Sequence, residues 1–242
     1  MKNIGILQLL ALIQLPYARG TQYLPATKCS LSDSDCLTAQ AQKILEIFVD
    51  GIPEIGIQKL DELPVGDVQN VADNFLFNWT DVRVGGLRNA VIDNVKISME
   101  LKTIRVLFHS TLNMRFNYVM DGLLLSIFPV FGNGKGELIL NKMQMELLFV
   151  FDIVKDNNGK DIMDLKKYYY GYDTLNGIQG RLDNLYNGDK KKSEVFHKIA
   201  NESWRVMSAN FGKSFQGKIT SLLFEAVKLY MRSRPLEELA LY

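Results

Sequence analysis

Leu112-Asn113-Met114-Arg115-Phe116-Asn117-Tyr118-Val119-Met120 places an apolar side chain at every second position, the period of an extended strand buried on one side. Arg115 and Asn117 fall on the opposite side. The pattern returns at Met143, Met145, Leu147, Phe149 and Phe151, with Lys142, Gln144 and Glu146 on the other face. Two such strands, each with one dry and one wet face, predict an antiparallel sheet. The alternating region runs from about Phe75 to Phe151, and Asp156 to Lys160, which contains Asn158-Gly159, predicts a hairpin beyond it.

On both sides of the alternating region the period becomes helical. Leu37, Ala41, Ile44, Leu45 and Phe48 share one helix face, with Ser34 or Asp35 available as a cap and Gly51 and Pro53 as a stop. From Ile52 to Leu63, Pro53, Gly56 and the following Pro64 favour irregular, extended chain. Between Ser193 and Arg232 there is no proline. There Phe196, Ala200, Trp204, Met207, Phe211 and Phe215 lie within about 60° of one line at 100° per residue. Ile219, Leu222, Leu223 and Ala226 move round by roughly 80°. The expectation is one helix of about 40 residues, roughly 60 Å long, that bends near Gly212 to Gly217 or changes the surface it packs on. Something equally long must cover it.

The N-terminus sets the compartment. Lys2, the apolar run Ile4 to Leu15, and Ala18 and Gly20 before a cut form a signal-peptide pattern. The run is too short, and too interrupted by Gln8 and Gln14, for a membrane span of about 20 residues. The expected organisation is a signal peptide over residues 1–20 and a single secreted domain over 21–242. Lys2 and Arg19 leave with the signal, so the 28 basic side chains of the whole chain fall to 26 against 27 acidic ones. Near-neutrality argues against a nucleic-acid partner and against a polybasic membrane-surface protein. Lys190 to Lys192, flanked by Asp189 and Glu194, reads as a solvated turn. No stable membrane insertion is expected, and oligomeric state is left open.

Cys29 and Cys36, the two cysteines of a secreted chain, most simply form one disulfide. Such a short loop contributes roughly 2 to 3 kcal/mol in the chain-entropy account, so it pins an N-terminal arm while burial holds the rest. A zinc site combining them with His109 and His197 is disfavoured, because those histidines are far apart in sequence and lack close-spaced partners.

Catalytic motifs are missing from the sequence. No Gly-x-Ser-x-Gly elbow occurs. Phe211-Gly-Lys-Ser214 lacks the earlier glycine of a phosphate loop, since Met207 stands there. Gly132, Gly134 and Gly136 have the wrong spacing for a dinucleotide fingerprint and read as a turn or bulge between strands. Asp156 and Asp161 around Gly159 fall short of a calcium-loop ligand set. The chain therefore reads as a non-enzyme without cofactor or metal. Asn78-Trp-Thr80 and Asn201-Glu-Ser203 are N-glycan sequons, with Asn201 inside the expected helix.

Several ordered stretches are similar to the takeout and juvenile-hormone-binding family of insects. The segment from Cys29 to Cys36 precedes a helix, then Gly51-Ile-Pro-Glu-Ile-Gly-Ile57 with Leu60-Asp61. Here Asp61-Glu62-Leu63 replaces the family's usual Asp-Pro-Leu. Val82-Arg-Val-Gly-Gly-Leu87, Tyr118 to Gly122, Phe128-Pro-Val-Phe-Gly-Asn-Gly134, Leu185-Tyr-Asn-Gly-Asp-Lys190, Asn201-Glu-Ser-Trp204 and Arg234-Pro-Leu-Glu-Glu-Leu239 follow in order.

The resemblance implies an α+β tubular lipid-binding fold, with a strongly curved antiparallel sheet wrapped around a long C-terminal helix and enclosing an apolar tunnel. It implies a carrier for a small hydrophobic ligand, a terpenoid or other long-chain lipid. By periodicity alone the methionines are ordinary core. With the resemblance, Met114, Phe116, Tyr118, Met143, Met145, Leu147, Trp204, Met207 and Phe211 become candidate lining, and Tyr118 a candidate donor to a polar ligand end. Juvenile-hormone members carry a further disulfide that two cysteines cannot supply, which points to the takeout branch. A lipid-transfer module acting at membranes and a protein-interaction domain with a vestigial tunnel are the alternatives. No basic rim or exposed amphipathic anchor for a membrane is evident in the sequence.

Overall fold

The computed structural model describes Pro25 and residues 27–72 and 75–242. The signal-peptide expectation for residues 1–20 lies outside the described residues. Strand β1 (Cys29–Ser30) leads into α1 (Ser34–Asp50), followed by β2 (Leu63–Ala72), β3 (Phe75–Gly85), β4 (Val91–Ser98), β5 (Thr103–Leu124) and β6 (Phe128–Lys155). Then come β7 (Asp161–Thr174), β8 (Ile178–Leu182), α2 (Lys190–Glu202), α3 (Trp204–Arg232), α4 (Leu236–Leu239) and β9 (Ala240–Leu241).

The architecture is α+β, organised by one very long hairpin. The 22-residue β5 and 28-residue β6 pair along their length in a seven-stranded antiparallel sheet ordered β2-β3-β5-β6-β7. Each long strand changes its outer partner midway. The first part of β5 pairs with β4 and the second with β3, while β6 pairs first with β8 and then with β7. The change coincides with a bulge where the register between Ser110↔Met143 and Leu112↔Leu140 slips. At the bulge Lys142 takes a positive φ of 48°. A bulge adds local twist, and with the exchange of partners it divides the sheet into two halves served by one helix.

The alternation in β5 and β6 sorts as expected. Leu112, Met114, Phe116, Tyr118 and Met120 are buried while Asn113, Arg115 and Asn117 are exposed. The Asp156–Lys160 hairpin forms, with the Asp156 carboxylate accepting from the N–H groups of Asn158 and Lys160 at 2.8 Å each. The glycine triplet differs from expectation. Gly132, Gly134 and Gly136 lie inside β6 with unbroken register against Met120, Tyr118 and Phe116. Their function is close approach. A Cβ on Gly136 would sit 2.2 Å from the Phe116 ring, and one on Gly134 would sit 2.6 Å from the Asp183 carbonyl.

The cap of α1 is Asp33, whose carboxylate accepts from Cys36 N–H at 3.0 Å, rather than Ser34 or Asp35. Ser34 is used elsewhere. Its hydroxyl donates to the Val95 carbonyl at 2.7 Å, Thr38 Oγ1 accepts from Val95 N–H, and Gln42 bridges Ile92 N–H and the Ala90 carbonyl. These side chains satisfy the free edge of β4, which otherwise would template pairing with another chain. The Cys29–Cys36 disulfide and the parallel pairing of β1 with β9 fix this end.

The long C-terminal helix is two helices. The chain breaks at Ser203, between α2 and α3, while Gly212 and Gly217 lie inside α3. Those glycines instead let α3 approach β7: a Cβ on Gly212 would lie 2.8 Å from the Tyr172 hydroxyl. The change of packing surface does occur, since Ile219, Leu223 and Ala226 are buried beyond the first stripe. At 1.5 Å per residue α3 runs about 44 Å, spanning both halves of the sheet.

Candidate functional site

Between the helices and the dry face of the sheet lie two cavities, one in each half. The first, about 120 Å³, is bounded by the whole helical stripe Phe196, Ala200, Trp204, Met207, Phe211 and Phe215. Facing it are Phe75, Phe77 and Trp79 of β3, Phe116 and Met120 of β5, Leu138 of β6, and Ile178 and Leu182 of β8. Aromatic contacts order this wall: Trp79 stacks on Phe116 at 4.2 Å and 3° and on Phe215 at 5.6 Å, and Phe77 meets it edge-on at 4.9 Å. The Trp79 indole N–H is buried without a hydrogen-bond partner among the described residues.

The second cavity, about 260 Å³, lies under α1. Leu37, Ala41, Ile44, Leu45 and Phe48 of that helix face Ile92, Val95 and Ile97 of β4 and Ile104, Val106 and Phe108 of β5. Leu147 and Phe149 of β6 and Leu223, Val227, Tyr230 and Met231 of α3 complete the wall. Among the described residues no charged side chain lines either cavity.

α2 closes the first cavity from outside. His197 Nε2 accepts the Leu182 N–H at 2.9 Å, and the Asn201 amide exchanges two hydrogen bonds with the Gly180 backbone at 2.7 and 3.2 Å. His197 is therefore neutral with its proton on Nδ1. Burial, joined by the charge of Arg181, pushes its pKa below the ordinary imidazole value, against a smaller opposing effect of Asp183. Both amide atoms of Asn201 are engaged by the Gly180 backbone, whereas the buried side-chain oxygen of Asn78 meets no hydrogen-bond partner among the described residues.

A packed section separates the cavities. Met114, Met143 and Met145 are buried there with Leu112, Leu140 and Ile219. From Phe215, on the first cavity, to Leu223, on the second, the helix advances about 12 Å. Gln216 and Thr220, one turn apart, are buried in the same stretch. The Gln216 amide donates to Met143 Sδ at 3.3 Å, whereas Gln216 Oε1 and Thr220 Oγ1 meet no hydrogen-bond partner among the described residues.

The nine candidate lining residues thus divide. Phe116, Trp204, Met207 and Phe211 come together on the first cavity, and Leu147 lies on the second. Met114, Met143, Met145 and Tyr118 line neither. Tyr118 spends its hydroxyl proton on the Asp183 carbonyl at 2.6 Å, and burial pushes its pKa up to about 12, so it is not a free donor. Sequence reasoning missed Phe75, Phe77 and Trp79, although their alternation was present to be read. It also placed Leu37, Ala41, Ile44, Leu45 and Phe48 on one helix face without assigning that face to a cavity. Among the described residues no cluster of three metal-ligating side chains occurs, and no helix is long and apolar enough to cross a membrane.

These elements define an α+β protein in which a long antiparallel hairpin lays its dry face on a C-terminal helix, with apolar cavities between them. The chain is a member of the haemolymph juvenile hormone binding protein (JHBP) family, whose profile matches residues 6–241. It is similar to Takeout 1 of Epiphyas postvittana, whose crystal structure superposes with a TM-score of 0.85 at 32% identity, covering 89% of this chain and 99% of that one. It is 26% identical over 199 residues to the circadian clock-controlled protein daywake of Drosophila melanogaster, covering 76% of this chain and 75% of that protein. A juvenile hormone-binding protein of Manduca sexta matches over a shorter stretch, 25% over 96 residues, or 38% of this chain and 42% of that protein.

Proposed function

We propose that the protein is a secreted carrier that holds a small hydrophobic ligand, a terpenoid or other long-chain lipid, between α3 and the dry face of the sheet. The observation that carries this reading is the pair of cavities on whose walls no described residue carries a charged side chain. Well-packed domains rarely leave voids larger than a water molecule. Unfilled volume of about 260 Å³ therefore needs an occupant or a reason. Burying roughly 300 Å² of apolar ligand surface at about 25 cal/mol per Å² gives several kcal/mol before association costs. A carrier needs no more chemistry than that.

The two cavities lie on one line along α3, and the tunnel reading requires the methionine section between them to yield. Thioether side chains, unbranched and soft, suit that task. The name of the Manduca sexta relative, a juvenile hormone-binding protein, supports a terpenoid as one ligand class, while the two-cysteine count favours a takeout-like ligand over juvenile hormone itself.

The test is to fill each cavity separately. Ala41→Phe projects into the second cavity and Ala200→Phe into the first. A fluorescent naphthylamine probe displaced by long-chain apolar competitors should lose affinity at least several-fold in one or both variants, with the apo melting temperature little changed. Unaltered probe binding in both would contradict the reading.

A further inference from the structure

One end of the molecule exposes apolar side chains where the rest of the surface scatters them. Leu125 and Ser126, both at positive φ of 52° and 64°, make the tight turn between β5 and β6. The turn holds Ile127 and Phe128 outward, 67% and 42% exposed. Across from it, α2 turns Val195 and Ile199 to solvent, 59% and 42% exposed. Between turn and helix runs an open groove whose walls include Phe128, Val195, Ile199 and Val206.

Two features distinguish this patch from a stray exposed side chain such as Leu101. The first is continuity with the interior. Leu124, Phe196, Ala200 and Met207 form the inner wall of the groove and also line the first cavity. The second is charge. Lys191 and Lys192 border the groove. Residues 189–205 carry Lys190, Lys191, Lys192, Lys198 and Arg205 against Asp189, Glu194 and Glu202, a local excess of two positive charges in a chain whose whole net charge is +1. The lysine run is thus the first turn of an amphipathic helix with an apolar outer stripe, not a solvated turn.

Exposed aliphatic and aromatic side chains flanked by lysines are what a peripheral protein needs at an anionic lipid surface: the apolar groups enter the headgroup boundary and the lysines meet lipid phosphate and carboxylate. We propose that this end docks reversibly on an anionic bilayer and that the groove is the path by which apolar cargo passes between membrane and first cavity. The proposal rests on the carrier reading for its cargo, but the docking itself does not depend on it.

Co-sedimentation with vesicles of phosphatidylcholine mixed with phosphatidylserine tests it. The full-length secreted protein should sediment with mixed vesicles and not with phosphatidylcholine alone, and added salt should release it. Ile127→Asp, and separately Lys190, Lys191 and Lys192 each →Glu in one variant, should lower vesicle affinity at least about tenfold. Ile127→Asp should retain the soluble naphthylamine probe, which shows that it is folded and that its interior is intact. No sedimentation, equal binding to phosphatidylcholine alone, or full binding by both variants would overturn the proposal. So would a dimer abolished by Ile127→Asp, which assigns the patch to a second copy. Vesicle binding without probe binding would leave docking standing and sink the carrier reading.

Discussion

Met145 and Gln144 are neighbours in sequence and opposites in environment. Met145 is fully buried opposite Phe108, while Gln144 lies on the outer face opposite His109. Because Met145 touches no cavity, a larger ring there has nowhere to go. Met145→Trp should cost about 1 to 3 kcal/mol in denaturant unfolding of the apo protein. Gln144→Trp should stay within about 0.5 kcal/mol. A Met145→Trp protein as stable as wild type, with weakened probe binding, would move the ligand into the methionine section. At this scale the alternation made the dry face legible, because a period of two reports which side a residue is on. It does not report whether the space on that side is filled. Met114, Met143, Leu147 and Phe116 follow the same rule in sequence, yet two pack solidly and two face voids. The two solid positions lie beside the bulge between Ser110↔Met143 and Leu112↔Leu140 and the buried Gln216 and Thr220 of α3, none of which has a periodic signature.

At the scale of elements, the helical stripe was legible to the last residue. All six members from Phe196 to Phe215 line one cavity. Of the two outcomes expected near Gly212 to Gly217, a bend or a change of packing surface, the second occurs; the break at Ser203 had no sequence signal, because it follows Asn201, which bonds across to Gly180. That contact is tertiary and lies 21 residues away in sequence. The attachment of α2 also predicts a pH response. His197 is held neutral with a lowered pKa, so the folded state binds fewer protons than the unfolded state as pH drops below the ordinary value of 6.5. Its contribution is complete above about pH 6.5, and is lost as pH falls from there to the lowered folded value. Wild-type protein should lose more unfolding free energy between about pH 7.5 and 5.5 than His197→Gln, whose amide oxygen can accept the Leu182 N–H without titrating. Identical pH slopes for the two proteins would contradict this account of α2.

For the whole molecule, the architecture was legible because two periods, two and 3.6, occupy separate parts of the chain. The ordered resemblances added the wrapping of sheet around helix that neither period implies. The midway exchange of partners along β5 and β6 was not legible, since a 28-residue strand has no sequence mark where one neighbour ends and the next begins. It is this exchange that makes two compartments on one helix. Intact-mass analysis of the secreted protein should give a chain beginning near Thr21 and two hydrogens lighter than the reduced form, for Cys29–Cys36. A retained Met1 would remove the proposed secretion route, and two free thiols would remove the disulfide. Probe affinity should change little with salt, because none of the described residues lining the cavities is charged, in contrast with vesicle docking. The central claim, that the uncharged interior exists to hold an apolar molecule, is tested most directly by mass spectrometry of organic extracts from protein purified after secretion by eukaryotic cells. The account predicts a long-chain or terpenoid molecule in near-stoichiometric amount, depleted in Ala41→Phe or Ala200→Phe; extracts no richer in lipid than those of an unrelated secreted protein, from preparations that also fail to bind the probe, would contradict it.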